Sequence, residues 1–334
     1  MNRRFIYLGF LLSIVLISKQ SISQDIHFSN LSMTQLYTSI GSVGGSTSLF
    51  SASTEYRNQW PTIGNAYTTI GMTAAGRIET KNGAIGIGFI ANSDQAGDLS
   101  LTRLQAEGAF AYHQKVSRRS FFSAGVQGGI IQHSIDETNA EWQTQFNGKE
   151  FDPTRSSGEN PLFQPFINYT LGTGVQWEYN NILSNRFSKN ISYTRFGLSV
   201  YHAFASKLDY NASEKEYARV AFSGNAIYAI DIEGSQLEPA FVYQQKGKEK
   251  ELVLGVLYRY VINRGSRYTS YKKKLDFAAG AYYRIPNDAL IPAFNMNYAN
   301  YQLGITYDVN VSQLTQASRT IGGLEFSLRF IILN

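Results

Sequence analysis

Apolar and polar positions alternate with a period of two along most of this chain. Near the C-terminal end, Leu324, Phe326, Leu328 and Phe330 alternate with Glu325, Ser327 and Arg329. A strand built this way has one apolar face, which needs lipid or a core, and one charged face, which needs water. The stretch 103–112 divides in the same way. Arg103, Gln105 and Glu107 take one parity, and Leu104, Ala106, Gly108, Phe110 and Tyr112 take the other. An arginine facing lipid at mid-bilayer costs about 2–4 kcal/mol, so the polar parity is assigned to an interior. The split recurs at Thr170, Gly172, Gly174 and Gln176 against Tyr169, Leu171, Val175, Trp177 and Tyr179. It returns at Gln302, Gly304, Thr306 and Asp308 against Tyr301, Leu303, Ile305 and Tyr307.

About fourteen such segments are predicted, near residues 46–57, 67–78, 83–91, 99–113, 120–132, 164–179, 192–204, 217–231, 236–245, 250–261, 275–285, 289–298, 301–310 and 320–332. Most are about 10 residues or longer, the length of a tilted membrane strand. Strands of soluble sandwiches are usually about 5–6 residues. Aromatic residues collect at segment ends, as at Tyr56 with Trp60, Trp177 with Tyr179, and Tyr258 with Tyr260. An interfacial girdle has that placement. The pattern therefore predicts an all-β, transmembrane antiparallel β-barrel of about 14 strands over residues 46–334.

An even strand number places both termini in the periplasm. The longest loop, about residues 133–163, then lies outside the cell, as outer-membrane barrels prefer. It carries Asp136, Glu137, Glu141, Glu150, Asp152 and Glu159 against Lys149 and Arg155. Turns assigned to the periplasm are basic instead, with Lys115, Arg118 and Arg119 in one and Arg264, Arg267, Lys272, Lys273 and Lys274 in another. Such turns could dock an acidic periplasmic partner.

The N-terminus fits export. Arg3 and Arg4 precede the apolar run Phe5 to Ile17, and the small residues Ser21 and Ser23 follow. This is the layout of a secretory signal over residues 1–23, with cleavage expected near Ser23–Gln24. The run is too short to span a bilayer as a helix, which takes roughly 20 residues. Residues 24–45 then form a periplasmic or lumenal segment ahead of the barrel. The chain has no cysteine, which removes disulfides, thiolate metal sites and lipoprotein anchoring. Of the net charge of +5, Arg3, Arg4 and Lys19 belong to the signal, leaving a mature chain with no bulk charge for nucleic acid. The slightly negative mean hydropathy of −0.22 suits a fold in which only alternate residues meet lipid.

Catalytic chemistry is scarce. The four histidines, His27, His113, His133 and His202, fall in no metal or protease motif. His202 with Ser199 or Ser206 is the closest approach to a nucleophile and base, and nothing specifies a third member. The reading is non-enzymatic, with no cofactor and no metal. The inward parity instead collects charges of both signs: Arg103, Glu107, Glu178, Arg195, Arg219, Glu238, Arg259, Asp276, Arg284, Asp308, Glu325 and Arg329. In a barrel these either pair across the lumen and hold a plug or line a water-filled pore.

Several short motifs carry a resemblance. The presumed mature chain opens Gln24-Asp25-Ile26-His27-Phe28-Ser29, and Tyr56-Arg57-Asn58-Gln59-Trp60-Pro61 ends the first strand. Asp94-Gln95-Ala96-Gly97-Asp98-Leu99 fills the next outward loop, and Gly197-Leu198-Ser199-Val200-Tyr201-His202 and Leu303-Gly304-Ile305-Thr306-Tyr307-Asp308 follow. Together these resemble the PorP/SprF family of outer-membrane proteins of the type IX secretion and gliding systems, across essentially the whole mature chain. The resemblance implies a barrel that binds, anchors or helps present a type IX-exported surface protein through that protein's C-terminal domain. Periplasmic secretion-system components and outer-membrane lipid are further implied partners. One departure is Ser39-Ile40-Gly41-Ser42-Val43-Gly44-Gly45, where the family usually has an Asn-Pro-Ala-like element before a glycine. By position, Tyr56, Arg57, Asn58, Gln59, Trp60, Asp94 and Gly97 are expected at the outer rim, shaping a cargo-binding mouth. A passive channel for small solutes is the alternative function, and a surface lipid hydrolase a weaker third.

Overall fold

The computed structural model describes residues 26–333 apart from 46–47, 62–66, 98–99, 136–141, 153, 157–164, 182–190, 205–215, 231–234, 265–272, 287–288 and 312–319. The signal segment, Gln24, Asp25, Asp136, Glu137, Glu141, Glu159, Ser206, Arg267 and Lys272 lie outside the described residues. The strands are β1 (Ser48–Gln59), β2 (Tyr67–Thr80), β3 (Gly83–Ala96), β4 (Leu101–Lys115), β5 (Ser120–Ser134), β6 (Phe166–Asn180) and β7 (Ile191–Tyr201). They continue as β8 (Arg219–Ala229), β9 (Gln236–Lys246), β10 (Glu249–Arg264), β11 (Lys274–Ile285), β12 (Ala289–Tyr298), β13 (Tyr301–Asn310) and β14 (Ile321–Leu333). Every predicted segment corresponds to one strand.

Neighbours in sequence pair antiparallel, and β1 closes the barrel against β14 from Ser48↔Leu333 to Gln59↔Gly323. Closure leaves no strand edge in lipid, where an unpaired backbone group would cost several kcal/mol. Along the middle of the strands the exposed large side chains share one parity, as β14 illustrates, with Phe326 and Leu328 outward and Glu325 and Ser327 buried inside. No helix among the described residues is long and apolar enough to cross a membrane.

Both ends of the barrel wall, Ser48 and Leu333, lie at one end, hereafter the near end. The opposite, far end carries the connections 60–66, 97–100, 135–165, 202–218, 247–248, 286–288 and 311–320. Residues 26–45 run through the lumen as an irregular plug with two short 3-10 turns, Gln35–Tyr37 and Ile40–Ser42. Val43 and Gly44 pack near the start of β3 at the near end, whereas Ile26 packs with Phe28, Tyr37 and Ile90 in the far half. The first described residue and the last are thus at opposite ends of the lumen. The barrel wall itself begins and ends at the near end.

Inward packing has a physical consequence on one wall. Val242, Val253, Leu257, Ala278, Tyr282, Ile291 and Ala293 face inward on β9–β12 and bury with Leu31 of the plug. A water-filled lumen would not tolerate that apolar wall, and the plug removes it from water. Two ladders are also interrupted. Between β8 and β9 the pairs between Asn225↔Ala240 and Tyr228↔Leu237 are missing, around Pro239, with the register kept. Between β12 and β13 the pairs between Leu290↔Val309 and Ala293↔Thr306 are missing in the same way, around Pro292. Proline has no N–H to give to that side.

Candidate functional site

The plug is held at three levels. In the far half, the backbone N–H groups of Ser29 and Asn30 donate to the two Glu325 oxygens at 2.7 and 3.0 Å. Arg57 donates to the His27 carbonyl at 2.8 Å, the Ser29 hydroxyl at 3.1 Å and Asp308 at 2.9 Å. Arg284 joins Asp308 at 2.7 Å and Glu251 at 3.5 Å. The His27 Nε2 lies 3.7 Å from the Glu251 carboxylate. All these groups leave water together, so the latch depends on every member being paired.

At mid-depth, Asn30 and Ser32 share hydrogen bonds with Asn295, each at 2.8 Å. Gln35 accepts from Arg195 at 2.5 Å, and Ser39 donates to Gln176 at 2.9 Å. The Ile40 N–H donates to the Ser199 hydroxyl at 2.9 Å. Towards the near end, Arg77 donates to the Gly44 carbonyl at 2.8 Å. His113 and the Val43 carbonyl lie 2.6 Å apart, and Ser123 sets the far side of that ring at 2.7 Å. The wall yields space where the plug backbone presses on it. A Cβ on Gly86 would stand 1.9 Å from the Val43 carbonyl oxygen and 2.6 Å from its carbonyl carbon. Only glycine fits at such approaches. Ile40 and Val43 are fully buried, and cavities of about 60 and about 10 Å3 flank the plug. A cavity of that size holds a few waters at most.

Sequence comparison now decides the family. The model described as "Type IX secretion system membrane protein PorP/SprF" matches residues 20–330. The chain belongs to the PorP/SprF family. No match was found among curated proteins. Among solved structures, the Ralstonia pickettii toluene transporter TbuX is 12% identical with a TM-score of 0.46, covering 88% of this chain and 92% of that one. The autotransporter NalP translocator domain from Neisseria meningitidis is 8% identical with a TM-score of 0.35, covering 98% and 99%. BamA from Haemophilus ducreyi, lacking POTRA domains 1–3, is 8% identical with a TM-score of 0.41, covering 85% and 70%.

In this PorP/SprF barrel the twelve lumenal charges expected from parity all point inward. Arg57, Asp308, Arg284 and Glu325 belong to the far latch. Arg259 pairs with Glu238 at 2.5 Å and with Asp276, which also takes Lys274 at 3.1 Å. Glu107 accepts from Gln105 and Gln127, both at 2.6 Å. Arg219 stacks on Tyr201 at 4.1 Å. Glu178 receives Gln176 at 3.4 Å, and Arg329 donates to Gln302 at 3.4 Å. Arg195 and Arg103 contact Asn225 and Glu216.

The expected rim set divides. Arg57 is 2% exposed and belongs to the plug latch, which corrects its place at the rim. It shares parity with Ser53 and Glu55, both buried, and that parity was the available signal. Tyr56 faces outward toward lipid. Asn58 and Gln59 are half-buried, and Trp60 ends β1 at φ 55 with its ring edge-on to Tyr67 at 5.3 Å. Asp94 accepts from Thr69 at 2.6 Å, and Gly97 turns at φ 70 with open space around it. Of the weak Ser–His alternative, Ser206 lies outside the described residues. His202 lies beyond the end of β7 at φ 52 and bonds Thr170 at 2.8 Å, while Ser199 serves the plug. Glu55, Arg77, Glu216, Lys246, Glu251 and Asn30 of the plug are site members that were not singled out, and His27 to Ser29 were quoted only for the family resemblance.

Proposed function

We propose that this type IX secretion barrel retains or helps present an exported surface protein, engaging its C-terminal domain at the far rim. The far end then faces the cell exterior and the near end the periplasm, consistent with the longest connection, 135–165, lying at the far end. The observation that carries the reading is the plug. A lumen packed against its own N-terminal segment leaves the rims as the surfaces for work, and it argues against passive solute flow. Asn58, Gln59, Trp60, Asp94 and Gly97 are the proposed rim contacts, with Arg57 supporting them from inside. The reading is non-enzymatic and needs no cofactor. Lys81, Lys115, Arg118 and Arg119 at the near end are proposed to face periplasmic secretion components.

The test is affinity purification of the tagged protein from detergent-solubilised outer membranes. A large exported protein in stoichiometric amount supports retention. A barrel that elutes alone, from cells exporting such proteins, contradicts it.

A further inference from the structure

On the β4–β9 half of the far mouth Arg219 donates to the Tyr37 carbonyl of the plug at 3.4 Å, and that half has its own chemistry. On β4, β5 and β6, Arg103, His133 and Phe166 stand in register, and the His133 ring stacks on Phe166 at 4.8 Å. On β8 and β9, Arg219 pairs in register with Lys246. Glu216, from the connection preceding β8, reaches between the two walls. Its Oε1 lies 3.3 Å from Arg103 and 3.4 Å from Lys246. Among the described residues here, basic groups outnumber carboxylates. On the same wall, His133 Nε2 and Asn168 Nδ2 are buried without a protein hydrogen-bond partner, in residues only 9% and 8% exposed. Buried polar groups are normally paired, so two unpartnered donors on β5 and β6 of this mouth are open to an acceptor. Both nitrogens can donate, as an anion requires.

We propose that this β4–β9 half of the far mouth is a carboxylate-binding pocket for an acidic segment of the exported partner. Glu216 occupies it from within the chain until that segment displaces it. The inference rests on the retention reading and adds the chemistry of recognition to it. Arginine and lysine on opposite walls give the charge, and His133 and Asn168 give further donors for the larger acidic group of a partner. A tethered competitor acts at high effective concentration and lowers the apparent affinity of a free ligand. Removing the Glu216 charge therefore strengthens binding.

The test uses the full chain in detergent and a fluorescent hexa-glutamate peptide, with hexa-glutamine as control, read by anisotropy. Glu216→Gln is expected to bind the acidic peptide about 10-fold more tightly than the natural chain, the order expected when a tethered competitor is removed. Adding Arg103→Gln and Lys246→Gln to that variant is expected to abolish the gain without leaving an unpaired carboxylate. Heat-modifiable gel mobility verifies folding of each. Equal binding by Glu216→Gln and the natural chain overturns the proposal, as does a gain that survives in the triple variant. A gain seen with inorganic phosphate but not with the peptide also overturns it and points to lipid phosphate. Co-purification separates the two claims. A triple variant that loses peptide binding yet keeps its exported protein removes the pocket and leaves retention standing. A natural chain that co-purifies with nothing, while Glu216→Gln binds peptide, removes retention and leaves the pocket.

Discussion

At the scale of residues, the plug is fixed by a few side chains whose removal strands others. Arg57 is the clearest, because Asp308, Glu325, the Ser29 hydroxyl and the His27 carbonyl all converge on it. Breaking one partner of a buried pair costs about 3–5 kcal/mol, since the remaining charge is left uncompensated. Arg57→Ala is expected to lower markedly the temperature at which folded-barrel gel mobility is lost. A melting profile equal to that of the natural chain would remove Arg57 from the latch. Arg57 is for that reason a poor probe of the rim. Gln59→Ala with Trp60→Ala touches the rim alone. That double variant is expected to reduce retained surface protein while the barrel's gel mobility stays unchanged. Retention at natural levels would take β1 out of the contact.

At the scale of elements, the period-two pattern was sufficient to find every strand and the inward face of most. Arg103 and Glu107, or Gln302 and Asp308, can face nothing but an interior when their neighbours are Leu104, Phe110, Leu303 and Tyr307. The plug was not legible in that way. Residues 26–45 have no period, because an irregular segment is buried by what surrounds it and not by its own pattern. Its traces were indirect, in inward glycines such as Gly172, Gly174 and Gly304, which approach Ile40 and Asn30. The apolar wall of β9–β12 was hidden for a related reason. On β10, Val253 and Leu257 alternate with Leu254 and Val256, so both faces are apolar and parity alone cannot assign them. The proline-interrupted ladders are a matter of strand pairing. Pro239→Val is expected to restore a donor toward β8 and raise the temperature of barrel unfolding by a few degrees, in line with about 1 kcal/mol for one net hydrogen bond. Unchanged or lower stability would show that the gap is set by the backbone and not by the missing N–H.

At the scale of the whole molecule, a closed fourteen-strand wall surrounds a segment of its own chain, tied by charges at the far end and by glycine-permitted contacts toward the near end. A barrel so filled has its working surfaces at the two mouths, which suits holding a partner better than passing a solute. Membership of the PorP/SprF family supplies the secretion context, and the plug is the physical basis of the proposal that the lumen does not conduct. Deleting residues 28–44 removes the filling and exposes the inward face of the wall to water. Single-channel recording in planar bilayers tests the central claim most directly, with that deletion as the positive control. The full chain is expected to remain silent while the deleted form gives steady openings. Steady large openings from the full chain would contradict the account and make the barrel a channel.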